Sequence, residues 1–571
     1  MNLPGYQGCP PPSCVSSDTV LSEVLDLEGY CSTQQDPVAG VSAGEIRVVD
    51  HGTFWSVSTS LPEALQIPRS ESIEEGFWGR LPDVETQGFA LWKYSLGYLP
   101  ALLDDDGAEE DVAGLLRSAW AWNCSSEWTQ RAAEMSSLRH ALSIRVRTMA
   151  QLRAIYQNRG LSEPPEVGYF VYSDLRFINN AAPEIFSANN HGAMLAIAVA
   201  HAEIAFPAFG KALRNSKTSL PINTTARTEL LRILNSVFDE TGVPNENSPH
   251  YHEYWLTILA QFSHLFSLLD ESFPHREFAL TLEALVTKST RALDAFIGYA
   301  GYLAPIGDSH ATARTSEALD SRFVSTTSGF ATYRQSGTFL TLNCGHSGPS
   351  HKHCDDTSFT VEHNGVGLIL DGGFFGHDWR DPKVIYSKSQ RAHSGLFLKS
   401  FDDLHPGAIY RAEASRIVGT LEQVEEEDNF IFDCRVTVDG NDSLHRRVAV
   451  LSPTEIRLED SILASAGPCG EVVQRFLIPI EANIRVKGTQ VEASLGRARM
   501  KIMLEQSGYT KGPEQLPPAL QIHSGVVAPY LLGWVAPEKN VLRQAYCIEY
   551  SCGPDRPQII RISLSDNQVG R

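Results

Sequence analysis

Histidines and carboxylates are concentrated in one short stretch of the sequence, from position 350 to position 393. His351 and His353 lie two residues apart, and Asp371 and His393 follow a predicted hairpin. Imidazole and carboxylate groups move protons near neutral pH and bind divalent metal ions. The stretch therefore predicts proton-transfer chemistry or a metal site, with a hydrogen-bonded domain interface as the purely structural alternative.

Zinc is the metal that suits this set of ligands. His353, Asp371 and His393 would supply nitrogen, oxygen and nitrogen to one structural zinc ion. The histidines at 351 and 353 share a face if they lie on a strand. However, the two-residue turn predicted at Asn364-Gly365 places Asp371 opposite Ser358, so the chain around His353 has to curl back for the site to form.

A second group of reactive side chains stands in the first turn of a predicted helix. His250, Tyr251, His252 and Tyr254 follow a polar loop that begins at Phe238. A tyrosine beside an imidazole can donate or accept a proton. The alternative is an aromatic helix face packed in a core.

A third group, Asn189, Asn190 and His191, opens the predicted helix 190–206. Either asparagine can cap the helix, which would leave N–H groups and the positive end of the helix dipole facing a ligand. The alternative is a cap with no ligand and a surface histidine.

The charge of the chain limits its partners. The formal net charge of −21 argues against nucleic acid and against an anionic membrane surface. A polyanionic substrate would need locally gathered cations, and the alternative is that the basic residues are scattered and solvated. The basic residues near the histidine-rich stretch are Arg334, Lys352, Arg380, Lys388 and Arg391.

Two patterns divide the chain and predict an α+β protein of two domains. Residues 1–85 are rich in Pro, Gly and Ser and are interpreted as an irregular N-terminal arm. Apolar residues then recur with helical spacing over 86–315, which predicts an (α/α) incomplete toroid of antiparallel helical hairpins. The predicted helices are 111–122, 128–157, 168–179, 190–206, 224–238, 250–270 and 276–298.

The period changes after Pro305. Alternating apolar positions and turn signals at Asn364-Gly365 and Asp439-Gly440 predict a large antiparallel β-sandwich over 325–571.

The cysteine pattern and the N-terminal sequence indicate the cellular compartment of the protein. The ten cysteines form no Cys-x-x-Cys pair, which favours reduced thiols. The chain shows no signal-peptide pattern and no apolar run long enough to span a membrane. We therefore expect a cytoplasmic protein as the sequence stands, or a periplasmic or secreted one if a leader has been removed. A homodimer is left open.

Six segments occur in one order along residues 90–400. They are Leu91-Trp-Lys-Tyr-Ser-Leu-Gly-Tyr-Leu, Asn189-Asn-His-Gly, Ser248-Pro-His-Tyr-His, His351-x-His-x-Asp-x-x-Ser-Phe, Leu370-Asp-Gly-Gly and Ala392-His-Ser. Together they resemble the heparinase II/III-like family of polysaccharide lyases, which is related to alginate and glycosaminoglycan lyases. That family has a helical toroid followed by an antiparallel β-sandwich.

The resemblance implies β-elimination at a uronic acid, which leaves a 4,5-unsaturated uronate end. It implies that Asn190 hydrogen-bonds the C6 carboxylate and stabilises the enolate-like charge. His191 and Tyr251 would be the proton-handling pair, with Tyr251 as the general acid, and His351 would assist. Which of the pair removes the C5 proton is left open.

The resemblance also implies the structural zinc on His353, Asp371 and His393. A departure from the family pattern is Ser394, where the family commonly has Asn. Tyr386 is the one candidate for the second catalytic tyrosine of some alginate lyases, which mildly favours a glycosaminoglycan over alginate. The residues expected to bind substrate are Asn189, His252, Tyr254, Arg334, Lys352, Tyr386 and Arg391.

The interpretation that follows is a lyase for an acidic polysaccharide such as hyaluronan, chondroitin or heparan sulfate. A uronosyl C5-epimerase is the alternative among enzymes, because it removes the same proton without cleavage. A non-catalytic polysaccharide-binding protein is the alternative outside enzymes, but binding alone does not require proton-transfer groups.

Overall fold

A computed structural model of the chain describes most of the residues from 91 onward. The described residues are 78, 91, 93–103, 108–134, 138–207, 209, 213–214, 220–268, 273–314, 320–377, 379–410, 415–426, 429–463, 471–510 and 520–567. The predicted N-terminal arm, 1–85, lies almost wholly outside them.

Helices occupy the first half of the described chain. They are α1 (Leu99–Leu102), α2 (Glu109–Asn123), α3 (Ser126–Glu134), α4 (Leu138–Arg159), α5 (Glu166–Ala181), α6 (Asn190–Ala205), α7 (Ile222–Val237), α8 (Pro249–Leu268) and α9 (Phe273–Asp294). The run predicted as one helix over 128–157 overlaps α3 and α4, and residues 135–137 between them lie outside the described part of the chain.

Helix α6 is central to the helical half. It packs against α4 and α7, and every residue from Gly192 to Ala202 is buried. Its alanine-rich sequence is apolar on all sides, which is typical of a helix enclosed by other helices. The packing of α6 fixes the position of its first turn, where Asn190 and His191 lie.

Strands occupy the second half, together with the short helices α10 (Pro382–Ser387) and α11 (Pro406–Ile409). The strands are β1 (Ser321–Ser325), β2 (Phe330–Gln335), β3 (Thr338–Asn343), β4 (Ser358–His363), β5 (Val366–Ile369), β6 (Leu396–Leu398), β7 (Ile417–Glu426), β8 (Asn429–Val438), β9 (Asn441–Ser452), β10 (Glu455–Ile462), β11 (Val472–Pro479), β12 (Asn483–Lys487), β13 (Gln490–Leu495), β14 (Ala498–Gln506), β15 (Leu520–Ser524), β16 (Trp534–Glu538), β17 (Val541–Cys552) and β18 (Gln558–Asp566).

The strands form antiparallel sheets around one core. One sheet has the order β1-β2-β3-β4-β5, and a second has the order β12-β13-β14-β18-β10-β9-β8-β7. A third has the order β15-β17-β11-β6, with β16 paired to β17. Apolar side chains from all three sheets, including Phe359, Phe432 and Phe476, belong to one buried cluster. The predicted α+β class, helices followed by antiparallel sheets, is confirmed.

Both predicted hairpin turns are present. Asn364 and Gly365 join β4 to β5 with φ of +53° and +74°, and Asp439 and Gly440 join β8 to β9 with φ of +48° and +82°. Two consecutive positive φ values are the geometry that the right-handed twist of a tight hairpin requires.

The described chain separates into two compact units. The helical unit contains residues up to Val237 and Thr257–Ala284, and the β unit contains Phe238–Leu256 and Leu285–Arg571. Residues 238–256 and 285–314, which the sequence assigned to the helical domain, therefore pack with the strands. One reason is Asp239, whose carboxylate accepts hydrogen bonds from Ser325 and Ser328 next to β1.

Two further features concern thiols and membranes. The six cysteines in the described part of the chain, at 124, 344, 354, 434, 547 and 552, are free thiols, as expected. Among the described residues, no helix has the length and apolar character needed to cross a lipid bilayer.

Candidate active site

Hydrogen bonds tie the start of α8 to the histidine-rich stretch, all within the β unit. The Asn247 side-chain amide donates to the carbonyl oxygens of Gly348 at 2.7 Å and Ser350 at 2.8 Å. Asn247 itself has a φ of +52°, a conformation that asparagine tolerates better than most residues. The loop before α8 therefore fixes the chain just before His351.

A third segment, around Gly307, joins the same assembly. The Ser309 hydroxyl lies 2.8 Å from that of Ser248 and accepts the His250 N–H at 3.1 Å. A Cβ atom at Gly307 would lie 2.3 Å from the Asn247 carbonyl oxygen, and the φ of Gly307 is +56°. Only glycine permits this close approach.

Tyr251 lies between two histidines. Its ring stacks on that of His351 with centroids 3.6 Å apart and planes 21° apart. Its hydroxyl lies 3.4 Å from His377 Nε2, a long contact of the kind that tightens when substrate binds. Burial raises the pKa of Tyr251, and the Asp308 and Glu246 carboxylates add to that effect. The hydroxyl therefore holds its proton at neutral pH.

His351 is held by a carboxylate at each ring nitrogen. Its Nδ1 lies 2.8 Å from Asp308 Oδ2, and its Nε2 lies 3.4 Å from Glu246 Oε2. Glu246 is in turn oriented by Trp255, whose Nε1–H donates to it at 3.1 Å. The two carboxylates thus fix the orientation of the His351 ring against the phenol of Tyr251.

Asp308 is the buried centre of the site. Its carboxylate accepts from His351, from His353 Nε2 at 2.7 Å, and from the Lys388 ammonium. Burial alone would raise the pKa of Asp308, but Lys388 and the two histidines outweigh it and hold that pKa well below its usual range. Asp308 is therefore a fixed anion that positions three nitrogen groups.

The His351–Thr357 segment is not a strand, which corrects the expectation that His351 and His353 share a strand face. Both His351 and Thr357 have positive φ, +57° and +74°, so the segment is a loop before β4. The two imidazoles nevertheless converge, because each binds one oxygen of Asp308.

The residues predicted to bind zinc are close together and buried. The His353 and His393 rings have centroids 5.3 Å apart. His393 Nδ1 lies 2.9 Å from Asp371 Oδ2, and Asp371 Oδ1 accepts the Gly373 N–H at 3.2 Å. Each carboxylate oxygen of Asp371 thus has a protein partner already.

Two nitrogen atoms of this group have no hydrogen-bond partner in the described part of the chain: His353 Nδ1 and His393 Nε2. The opposite nitrogen of each ring faces a carboxylate, and His353 Nε2 also lies 3.2 Å from the Lys388 ammonium. An N–H directed at the carboxylate would leave a lone pair at each orphaned atom. Two buried imidazole lone pairs fit zinc, and Asp371 fits the outer group that orients a histidine ligand. Across the described residues, however, no three His, Cys, Asp or Glu side chains are arranged to hold a metal ion.

A cavity of about 330 Å³ opens beside these residues within the β unit. Its size is at the lower end of ligand pockets, which hold roughly 300–1,000 Å³. The lining residues are Asp308, Pro349, Ser350, His351, Lys352, His377, Trp379, Lys388, Pro406, Gly407 and Tyr410.

The cations predicted to bind substrate are engaged with protein groups. The Lys352 ammonium is buried between Asp355 and Asp356, and these carboxylates raise its pKa although burial opposes them. Arg391 pairs with Asp403 at 3.0 Å. Lys388 is bound to Asp308, as described above.

Arg334 is also part of the framework. Its Nη1 donates to the Ile297 carbonyl oxygen at 2.6 Å, and its guanidinium lies 4.4 Å from the Tyr299 ring centroid. Arg334, Lys352 and Arg391, which were predicted to bind substrate, thus each contact protein groups in this structure, and Lys352 also lines the cavity.

Three aromatic residues predicted to bind substrate are buried. His252 donates to or accepts from the Ser289 hydroxyl at 2.8 Å, and burial lowers its pKa to about 3. The Tyr386 hydroxyl donates to the Trp534 carbonyl oxygen at 2.9 Å. Tyr254 packs edge-on against Tyr251, with centroids 6.4 Å apart. These are packing roles, since burial leaves the side chains no surface for a ligand.

In the helical unit, the third predicted group forms the N-terminus of α6. Asn189 is the cap, and its Oδ1 accepts the Gly192 N–H at 3.2 Å. Asn190 Oδ1 accepts the His191 N–H at 2.9 Å. Asparagine oxygens thus satisfy two of the N–H groups that were expected to face a ligand. The His191 ring packs edge-on against His140, with centroids 5.0 Å apart.

Glu246, Asp308 and His377 were not among the residues predicted from the sequence. All three lie in loops, where local spacing does not indicate which distant segment a side chain will contact. Gly307 beside Asp308 is one available signal, since a glycine in a loop often marks a close approach of two backbone segments.

Comparison of the sequence with known proteins identifies one related domain. Residues 321–530 match the family model described as heparinase II/III-like, C-terminal. No curated protein matches the chain in sequence.

Solved structures match the fold over nearly the whole chain. A mutant of the heparan sulfate lyase HepC from Pedobacter heparinus is 13% identical with a TM-score of 0.63, and the match covers 99% of this chain and 93% of that one. A heparinase III is 14% identical with a TM-score of 0.62, covering 99% and 92%. Residues 321–530 are therefore similar to the C-terminal domain of heparinase II/III-like proteins, and the fold of the chain is similar to that of the solved heparan sulfate lyase and heparinase III.

Proposed function

We propose that this protein is a lyase that cleaves a uronic-acid-containing glycosaminoglycan by β-elimination. The observation that carries the proposal is the placement of the Tyr251 hydroxyl, 3.4 Å from His377 Nε2 and on a ring stacked against His351. A protonated phenol beside an imidazole provides a proton donor and a proton acceptor at one point.

The substrate class rests on the solved relatives. One of these relatives, HepC, is a heparan sulfate lyase, and the other is a heparinase III. At such low identity these names support a glycosaminoglycan over alginate without selecting one polymer. We therefore propose heparan sulfate first, with chondroitin and hyaluronan as the related polymers to test.

The reaction can be written with these groups. A base removes the C5 proton, the electron pair of that C–H bond forms the C4–C5 double bond, and the C4–O4 bond breaks. Tyr251 gives its hydroxyl proton to O4, and the proton held by the base then returns to Tyr251. The pKa of Tyr251 is raised by burial, which suits a general acid that must hold its proton until the bond breaks.

The base is a neutral imidazole in this proposal. His377 lines the cavity, and partial burial lowers its pKa, so its Nε2 is an acceptor at neutral pH. His191 of the helical unit is the other candidate, and Asn190 beside it is the proposed donor to the C6 carboxylate.

The zinc ion belongs to this proposal as a structural group. His353 and His393 would hold it through their orphaned nitrogens, and Asp371 would orient His393. Zinc bound there would join the loop before β4 to the segment before β6. No step of the elimination depends on it.

The test is the appearance of the ultraviolet absorbance of the conjugated C4–C5 double bond. The purified protein is mixed with heparan sulfate, heparin, chondroitin, hyaluronan, polyglucuronate and alginate in turn. A rise with one polymer that the Tyr251→Phe variant abolishes would support the proposal. Solvent deuterium at C5 without cleavage would indicate an epimerase instead, and no change with any polymer would contradict the lyase.

A further inference from the structure

We propose that Trp379 is a stacking platform for a sugar ring next to the uronate that is cleaved. This inference rests on the proposed function, since it assigns a subsite within the same cavity. The observation behind it is an indole that is 43% exposed and that lines the 330 Å³ cavity with His351 and His377.

The indole is held in place rather than loosely attached. Its centroid lies 5.1 Å from that of His405, and the Lys388 ammonium lies 5.5 Å from the ring centroid. His405 is itself fixed, because its Nδ1 accepts the Gly407 N–H at 3.1 Å and caps α11. A large apolar ring that is held by neighbouring side chains and is still partly exposed to a cavity is prepared to receive a ligand.

Lys388 connects Trp379 to the side chains around Tyr251. Its ammonium packs near the Trp379 ring and also binds Asp308, whose other oxygen holds His351. His351 in turn stacks on Tyr251. The platform is therefore linked to the proposed proton donor by consecutive contacts, and it lines the same cavity as His351 and His377, the two histidines that contact Tyr251.

The chemistry of the cavity selects a sugar as the occupant. One wall is the apolar indole, and the others carry Ser350, His351 and charged side chains. A purely apolar ligand would leave these polar groups without partners. A pyranose ring has an apolar face of C–H groups and a rim of hydroxyl groups, so it matches both kinds of wall.

The kinetic test uses oligosaccharides of increasing length from the polymer that the protein cleaves. Loss of one aromatic stacking contact predicts a roughly tenfold increase in KM for Trp379→Ala with the longer oligosaccharides. We expect kcat to stay within about twofold, because the ring touches no reacting atom. Trp379→Phe should restore most of the affinity.

The control variant is Tyr302→Ala. Tyr302 is an aromatic residue of the β unit that is 47% exposed and is not part of the cavity wall. Its removal should leave KM unchanged. An unchanged KM in Trp379→Ala, or an equal increase in both variants, would overturn the inference.

A binding test separates this inference from the proposed function. In the Tyr251→Phe background, electrophoresis through gels containing each polymer measures binding without cleavage. Slower migration that Trp379→Ala removes and Tyr302→Ala keeps would support the subsite, even if the wild-type protein shows no lyase activity. If the protein has lyase activity but Trp379→Ala migrates like its parent, the subsite is overturned and the proposed function is not. If no polymer slows the migration, both the subsite and the proposed function are overturned.

Discussion

The rings of Tyr251 and His351 stack face to face, with centroids 3.6 Å apart. Because the carboxylates of Asp308 and Glu246 face the two nitrogens of His351, the histidine contacts Tyr251 with its ring and not through a hydrogen bond. The hydroxyl of Tyr251 is directed to His377 instead. The stack therefore positions the phenol, and the hydroxyl remains available for proton transfer.

The Tyr251→Phe variant tests this division of roles. The phenylalanine ring keeps the stack, so the midpoint of thermal unfolding should change little. Loss of the hydroxyl should reduce the rate of elimination by roughly 10²–10⁴-fold, the usual contribution of a general acid. A variant that retains more than a tenth of wild-type kcat would show that Tyr251 is not the proton donor.

The buried charge of Asp308 predicts a large effect on stability. Asp308→Asn leaves the Lys388 ammonium buried without its anion, which should lower the free energy of unfolding by about 3–5 kcal/mol. The measurement is urea-induced unfolding.

The double variant Asp308→Asn, Lys388→Met provides the control. Removing both charges leaves no unpaired ion, so much of the lost stability should return. Elimination should stay slow, because His351 Nδ1 still lacks the carboxylate of Asp308. If Lys388→Met gives no recovery in the Asp308→Asn background, the ion pair is not the source of the effect.

The general architecture could be predicted from the sequence, and the centre of the site could not. Hairpin turns at Asn364 and Asp439 are set by local residue types, so they were predicted correctly. The position of Asp308 depends on contacts with residues more than forty positions away in the sequence. Periodicity carries no information about such contacts.

The predicted substrate cations show a second limit of sequence analysis. Lys352 and Arg391 occur near the histidines in the sequence, but Asp355, Asp356 and Asp403 neutralise them. Residue type indicates that a charge is present, whereas only the folded chain shows which charge is already paired.

The buried Lys352–Asp355 pair predicts how stability depends on pH. Burial would raise the pKa of Asp355, but Lys352 outweighs it and lowers that pKa to about 2, from 3.8. Between these values the unfolded chain binds more protons than the folded chain, so the stabilisation is complete above about pH 5 and is lost as the pH falls towards 2. In urea unfolding across this pH range, the free energy of unfolding should fall more steeply with decreasing pH for wild type than for Asp355→Asn.

The matched control for this pH dependence is Asp439, which pairs with Arg416 on the surface. Asp439→Asn should have little effect on how the free energy of unfolding depends on pH, because solvent and salt screen an exposed ion pair. Equal changes for Asp355→Asn and Asp439→Asn would contradict the role assigned to burial.

The orphaned nitrogens of His353 and His393 predict a bound metal ion. Elemental analysis of the purified protein should find about one zinc per chain, and removal of zinc by a chelator should lower the midpoint of thermal unfolding. His393→Ala should abolish both the zinc content and the effect of the chelator. His363→Ala is the control, because its Nδ1 lies 2.9 Å from the Thr338 hydroxyl rather than in this group. Zinc-free wild-type protein with no thermal response to added zinc would rule out the site.

The contact between His377 and Tyr251 predicts a specific effect on the rate of elimination. His377→Asn removes the acceptor near the hydroxyl and should lower kcat by roughly 10–100-fold if His377 is the base. Partial burial lowers the pKa of His377, so the wild-type rate should fall only when the pH drops below the range in which histidine usually titrates. The residual activity of the variant should not show this decrease at acidic pH. His310→Asn is the matched control, because His310 packs against the same Phe374 ring as His377. Full activity in His377→Asn would assign the base to another imidazole, and His191→Asn would then be the variant that loses elimination.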